Sequence, residues 1–96
     1  REFARTDQVR AFLRIYQGGR GELHPVRLSV RIQDDGGRSV FDEQGEIPAT
    51  GFGTNRAADY VREVPLETLR AGEYLLTLDV TERTRTERRD VRFTVR

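Results

Sequence analysis

Apolar and polar residues alternate with a period of two along several short stretches of the chain. In "QVRAFLRIYQ" one side of an extended backbone carries four apolar residues, and the other side carries Arg10, Phe12, Arg14 and Tyr16. A period of two is typical of a β-strand with one buried face, since successive side chains of a strand point to opposite sides. The pattern therefore predicts a strand across this segment, with Phe12 and Tyr16 on its outer face.

The same alternation returns in "VRLSVRIQ", "DYVREV", "EYLLTLDV" and "DVRFTV". The Asp-Asp-Gly-Gly run at 34–37 predicts a tight hairpin turn before a short strand around Val40 and Phe41. Residues 44–55 contain four turn formers, Gly45, Pro48, Gly51 and Gly53, so we expect a loop or a ragged edge there. Pro65 lacks a backbone donor and is expected to end the strand before it.

About seven extended segments, short turns and no long amphipathic helix predict an all-β fold, an immunoglobulin-like antiparallel β-sandwich. A small β-barrel is the alternative. A chain of 96 residues is about one domain, and nothing in it suggests an internal linker. Because it starts at Arg1 without a Met, we interpret 1–96 as a single domain taken from a larger protein.

The segment "PLETLRAGEYLLTLDV" has the residues of a tyrosine corner. In immunoglobulin-like sandwiches a Tyr near the start of the penultimate strand donates its hydroxyl to the backbone a few residues upstream. Tyr74 occupies that position, Leu69 is expected to fill the core beneath it, and Gly72 to supply a positive φ. We therefore interpret Leu69, Gly72 and Tyr74 as structural residues.

The charges nearly cancel, with 17 basic and 16 acidic residues and a net charge of +1. This balance argues against nucleic acid as a partner, since such binding relies on a broad positive field. The Arg and Glu residues of "TERTRTERR" are expected to form a self-neutralised hairpin tip. The absence of Cys excludes disulfides and thiolate metal sites, and no apolar run is long enough for membrane insertion.

Four segments give the chain a family resemblance: "FARTDQVRAFLRIYQGG", "VRLSVRIQDDGG", "RAADYVREVPLETLRAGEYLLTLDV" and "RRDVRFTVR". Together they resemble the C-terminal immunoglobulin-like or fibronectin-like domain of bacterial von Willebrand factor A-related proteins. The resemblance implies an accessory domain in a secreted or cell-envelope protein. The Asp-x-Ser-x-Ser metal-adhesion motif of the A domain is absent, so its ion-dependent binding does not transfer.

Residues with catalytic or metal-binding chemistry are few and scattered. The only His is His24, in a predicted loop, and the only Ser are Ser29 and Ser39, so a hydrolytic triad is not expected. Asp34 and Asp35 in the hairpin turn, with Asp42 and Glu43 across it, could offer oxygens to calcium, but solvated turn acids are the favoured explanation. We predict a non-enzymatic protein that uses no cofactor.

The outer row Arg10, Phe12, Arg14 and Tyr16 is where the sequence departs from a purely solvated face. Arg, Tyr and Phe are the residue types enriched at protein interfaces. The alternative is that Arg stems or neighbouring loops cover the two rings. The row predicts a contact with a neighbouring domain of the same chain or with another protein, in an oligomeric state that the sequence leaves open.

Three functional interpretations follow from these residues. The first is a non-catalytic accessory or interaction domain that makes domain or protein contacts. The second is a ligand-recognition module that binds a peptide edge or a carbohydrate, the latter weakened by the absence of Trp. The third is an accessory domain of an enzyme whose catalytic part lies elsewhere.

Overall fold

The computed structural model describes residues 1–96 and is an all-β protein. Two single-turn 3₁₀ segments, Ala49–Gly51 and Leu66–Thr68, are its only helical elements. None of its helical segments has the length and hydrophobicity required to cross a membrane. The strands are β1 (Glu2–Phe3), β2 (Val9–Tyr16), β3 (Val26–Asp34), β4 (Ser39–Ile47), β5 (Ala57–Val64), β6 (Gly72–Glu82) and β7 (Arg85–Val95).

The strands form two sheets, which give the molecule a β-sandwich-like architecture. The larger sheet has five strands in the order β1-β7-β6-β3-β4, and the smaller sheet pairs β2 with β5. All neighbours are antiparallel except β1, which runs parallel to β7. The predicted all-β fold and two-sheet arrangement are confirmed.

The core lies between the sheets and is built from the alternating rows predicted from the sequence. Every second residue of β3 from Val26 to Ile32 is at most 2% exposed. Tyr74 and Phe93 stack at the end of the core, with ring centroids 5.5 Å apart. From the smaller sheet, partly buried residues pack against this core, among them Val9, Ala11, Tyr60 and Val64.

The connection between β5 and β6 crosses from one sheet to the other. Pro65 ends β5, and the 3₁₀ turn that follows buries Leu66 completely, while Leu69 is 3% exposed. Gly72 then opens β6 with a φ of 155°. The hydroxyl of Tyr74 donates a hydrogen bond of 2.6 Å to the backbone carbonyl of Arg70. The hydroxyl therefore reaches back to the backbone upstream, the geometry expected of a tyrosine corner.

The turn between β3 and β4 is stabilised by one carboxylate. Oδ1 of Asp34 accepts hydrogen bonds from the backbone N–H of Gly36 at 3.0 Å and of Arg38 at 2.9 Å. Gly37 has a φ of 81°, a value that glycine adopts without strain. The predicted hairpin turn is present, and Asp34 is part of it.

Two boundaries differ from those predicted. β4 continues to Ile47, beyond the expected start of the loop at residue 44. It is the edge strand of the larger sheet, where Gly45 is tolerated opposite Leu28 of β3. The stretch 81–89 was expected to be a hairpin tip, but nearly all of it belongs to β6 and β7. Only Arg83 and Thr84 form the turn, with Arg83 at a φ of 56°.

The far end of the β2–β5 pair is closed by Arg56. Its backbone carbonyl accepts from the N–H of Gln17 at 3.0 Å, and its Nε donates to the carbonyl of Gln17 at 2.8 Å. A further bond from Nη1 reaches the carbonyl of Gly21 at 2.9 Å. These contacts fix the chain directly after Tyr16 and so position the end of β2.

Candidate protein-contact face

The four predicted contact residues of β2 lie in one row that points away from the core. Residues of β2 alternate between partly buried and exposed along the whole strand, and Arg10, Phe12, Arg14 and Tyr16 are the exposed set. The structure therefore places all four side chains on one face, as the period of two predicts.

The adjacent strand β5 supplies the other half of this face. The register pairs Arg10 with Glu63, Phe12 with Val61, Arg14 with Asp59 and Tyr16 with Ala57. Residues paired across an antiparallel sheet have side chains on the same side. Charged and apolar pairs thus alternate along a surface that we call the β2–β5 outer face, defined by these eight residues.

The apolar side chains of this face remain open to solvent. Phe12 is 60% exposed, Tyr16 63% and Val61 50%. Three of the five exposed large hydrophobic side chains of the molecule are therefore on the small sheet, while Val40 and Val91 lie on separate strands of the larger one. Neither Arg stems nor loops bury the two rings, the alternative that the sequence left open.

The charged pairs of the face are self-neutralised. Nε and Nη2 of Arg14 donate to the two carboxylate oxygens of Asp59 at 2.7 and 3.2 Å. The hydrogen bond from Arg14 lowers the pKa of Asp59, and the bond to Asp59 raises the pKa of Arg14. Arg10 Nε lies 4.0 Å from Glu63 Oε1, a looser pair. The face consequently carries oriented charges with little net field.

The contribution of β5 was missing from the sequence prediction of the site. The alternation of "DYVREV" indicated that Val61 and Glu63 share one side of their strand. Arg14 and Asp59 are separated by 45 positions in the chain, so only the three-dimensional register reveals that they meet. Val61 is the most important residue that the sequence prediction omitted, because it lies opposite Phe12 and extends the exposed apolar surface.

The predicted corner residues lie elsewhere. Tyr74 is 7% exposed and Leu69 3%, both within the main core cluster of the sandwich. Gly72 is at the start of β6, in the larger sheet. None of the three belongs to the β2–β5 outer face.

The other residues with reactive or metal-binding chemistry are dispersed. The side chain of Gln17 bonds to the backbone N–H and carbonyl of His24, at 3.0 and 2.7 Å. Of the acids around the predicted hairpin, Asp34 is engaged in the turn and Glu43 pairs with Arg62 of β5. No three His, Cys, Asp or Glu side chains lie close enough to hold a metal ion.

The outer face of the larger sheet is charged and contains paired groups. Arg31 lies opposite Asp42 in the register of β3 and β4. Nε and Nη2 of Arg88 donate to the carboxylate of Asp79 at 2.8 and 3.2 Å. These bonds lower the pKa of Asp79. The Arg residues of β3, Arg27 and Arg31, thus lie opposite acids of β4, and large apolar side chains are sparse on this face.

Comparison of the chain with protein-family models, with curated proteins and with solved structures found no match.

Proposed function

We propose that residues 1–96 form an immunoglobulin-like domain with a non-catalytic, accessory role in a bacterial secreted or cell-envelope protein. In this proposal the β2–β5 outer face binds a neighbouring protein surface, in the first instance another domain of the same polypeptide. The observation that carries it is the row of exposed Phe12, Tyr16 and Val61 between paired charges. The resemblance to von Willebrand factor A-related proteins supplies the cellular setting and is part of the proposal.

Strand order supports the immunoglobulin-like assignment. In a seven-stranded immunoglobulin-like sandwich, the second strand pairs with the fifth in one sheet. The third, sixth and seventh strands lie in the other sheet. Here β2 pairs with β5, and β3, β6 and β7 share the larger sheet. The bond from Tyr74 to the backbone of Arg70 supplies the corner at the start of the penultimate strand. Both features support the assignment from separate parts of the chain.

The chemistry of the face favours a protein surface as its partner. Aromatic and Arg side chains combine large contact area with directional donors, and they dominate the energy of protein interfaces. Because Asp59 already orients Arg14, less side-chain freedom is lost on binding than for a free Arg. The near-neutral pairs also suit a partner without strong net charge.

The proposal separates binding from folding, and this separation is testable. Arg14→Ala combined with Tyr16→Ala removes a ring and a guanidinium that are outside the core, so we expect little loss of stability. The matched control is Arg38→Ala with Val40→Ala, which removes an exposed Arg in the connection before β4 and an exposed apolar residue near the start of β4.

The measurement is titration calorimetry of residues 1–96 against the remainder of the larger polypeptide, together with urea unfolding of each variant. The proposal predicts weaker binding for the β2 double variant and parental binding for the control. A large loss of stability in the β2 variant with unchanged binding would contradict it.

A further inference from the structure

An apolar groove opens between the two sheets along the side where β2 and β7 are the outermost long strands. Its volume is about 290 Å³, and nine of its eleven lining residues are hydrophobic. Leu76 and Leu78 of the core contribute to its wall, and Val91 of β7, which is 42% exposed, lies at its opening. Core side chains are thus accessible from this side of the sandwich.

The backbone of β7 beside this groove is unpaired along most of its outer edge. β7 spans Arg85–Val95, but β1 pairs only with Thr94 and Val95. The N–H groups of Thr94 and Arg96 donate to the carbonyls of Arg1 and Phe3, at 2.7 and 2.9 Å.

Backbone donors of a strand alternate between its two edges. The pairing of β7 with β6 is continuous, without a bulge, from Val95 to Arg85. The N–H groups that point to the open edge are therefore those of Thr86, Arg88, Asp90 and Arg92. Such a row is a template for an added strand.

The short strand β1 shows how this edge receives a strand. Its backbone carbonyls bind β7, and its inward residue Phe3 packs against Phe93, with ring centroids 6.1 Å apart. Its outward residue Glu2 pairs with Arg96, Nε to Oε1 at 3.1 Å. The strand that already pairs with the end of β7 therefore has an apolar residue pointing inward and an acidic residue pointing outward.

The net charge of β7 also favours an added strand that carries acidic residues. The strand RTERRDVRFTV carries four Arg and two acids, which gives 4 − 2 = +2. A second copy of β7 would bring like charges together, which destabilises strand pairing. An acidic strand would instead meet Arg92, which forms no ion pair in the structure.

We propose that the open edge of β7 is a strand-acceptor site for an extended segment of another protein, in which aliphatic residues alternate with acidic or neutral ones. The aliphatic side chains enter the groove beside Val91, and the acids lie outward near Arg92, since Arg88 is already bonded to Asp79. Arg10 and Phe12 of the β2–β5 outer face also line this groove, whereas Tyr16 lies outside it. The inference is carried by the open edge of β7 and the groove, so it does not depend on the proposed function.

The test uses an acetylated and amidated peptide, Glu-Val-Thr-Val-Glu-Val-Thr, added to isotope-labelled residues 1–96 and followed by NMR. The expected result is saturable binding with slowed amide exchange at Thr86, Arg88, Asp90 and Arg92. The neighbouring amides at 87, 89 and 91 already bond to β6 and should change little. The same peptide with Lys for Glu, or with Pro for the central Val, should bind at least about tenfold more weakly.

Paired protein variants locate the site. Val91→Lys places a charge at the groove opening and should weaken peptide binding by about tenfold or more. Val40→Lys is the control, because Val40 has nearly the same exposure, 40%, on β4. Tyr16→Ala should leave the peptide affinity unchanged. Absence of binding, equal binding by the Lys peptide, or protection confined to β2 or β4 amides would overturn the inference.

Discussion

The guanidinium of Arg14 donates two hydrogen bonds to the carboxylate of Asp59 across the β2–β5 pair, at 2.7 and 3.2 Å. Both side chains are about half exposed, 51% and 45%. An ion pair with this exposure contributes little to folding, because water screens it and because two long side chains lose freedom. Its main consequence is orientation: it fixes a charged pair between the exposed residues Phe12 and Tyr16.

The pair predicts a depressed pKa for Asp59. Because the hydrogen bond from Arg14 favours the ionised carboxylate, NMR titration should give Asp59 a pKa below its ordinary value. Arg14→Gln should move that pKa back towards the ordinary value. Asp79, whose pKa is lowered by Arg88, is the internal control and should not change. An unaltered Asp59 pKa in the variant would contradict the assignment of Arg14 as its cause.

The direction of the pH dependence follows from the same shift. A carboxyl with a folded pKa below its unfolded value contributes stability that is fully present above the unfolded pKa, about 4. That contribution is lost as the pH falls through the lowered folded pKa. Both Asp59 and Asp79 therefore predict a loss of stability in acid, and none between pH 5 and 8.

The hydrogen bond of the tyrosine corner predicts that Tyr74→Phe measurably lowers the free energy of unfolding. The substitution keeps the ring stacked on Phe93 and removes only the bond to the carbonyl of Arg70, so urea unfolding should show a loss of about 0.5–1.5 kcal/mol. Tyr60→Phe is the control, since the Tyr60 hydroxyl has no hydrogen-bond partner within the protein. Equal stability of the Tyr74 variant and the parent would show that the corner bond contributes nothing.

The backbone at the start of β6 predicts strain when a side chain is added. Gly72 has a φ of 155°, which side-chain-bearing residues rarely adopt, although no heavy atom lies within 4 Å of a Cβ built there. Gly72→Ala should therefore destabilise the domain by about 1–3 kcal/mol through the backbone alone. Gly18→Ala, equally open but without a positive φ, should remain within about 0.5 kcal/mol of the parent. Identical urea-unfolding midpoints for the two variants would contradict the prediction that the backbone at Gly72 disfavours a side chain.

Local patterns were sufficient to predict the buried row of β3 and the corner. The apolar residues from Val26 to Ile32 alternate with polar ones, so they share one side of the strand, and that side is buried. The Tyr74 hydroxyl reaches the backbone four residues upstream, so the contact depends only on neighbouring sequence. Contacts of this range are encoded in a single segment of chain.

Long-range pairing was not predictable in the same way. Val61 and Phe12 meet because β2 and β5 pair in one register, and alternation alone specifies only which side of each strand is polar. The strand β1 has two residues, too few to show a period. Extension of β4 through Gly45 depends on pairing with Leu28 of β3, and the sequence around Gly45 alone does not reveal that partner.

The exposed rings predict that polar substitution of Phe12 leaves the fold intact. Phe12→Ser removes a side chain that is 60% exposed, so thermal unfolding should change by no more than a few degrees. Leu76→Ser, at 7% exposure within the core, is the contrasting variant and should be strongly destabilised. A large decrease in the unfolding temperature of Phe12→Ser would show that the Phe12 ring contributes to the core.

The central claim is that the β2–β5 outer face contacts a neighbouring protein surface. Its most direct measurement is hydroxyl-radical footprinting of Phe12 and Tyr16 in residues 1–96 alone and in the longer polypeptide that the proposal places around them, with exposed Val40 as the reference. The account predicts that oxidation of both rings falls in the intact protein while that of Val40 stays constant. Equal oxidation of Phe12 and Tyr16 in the two samples would contradict it.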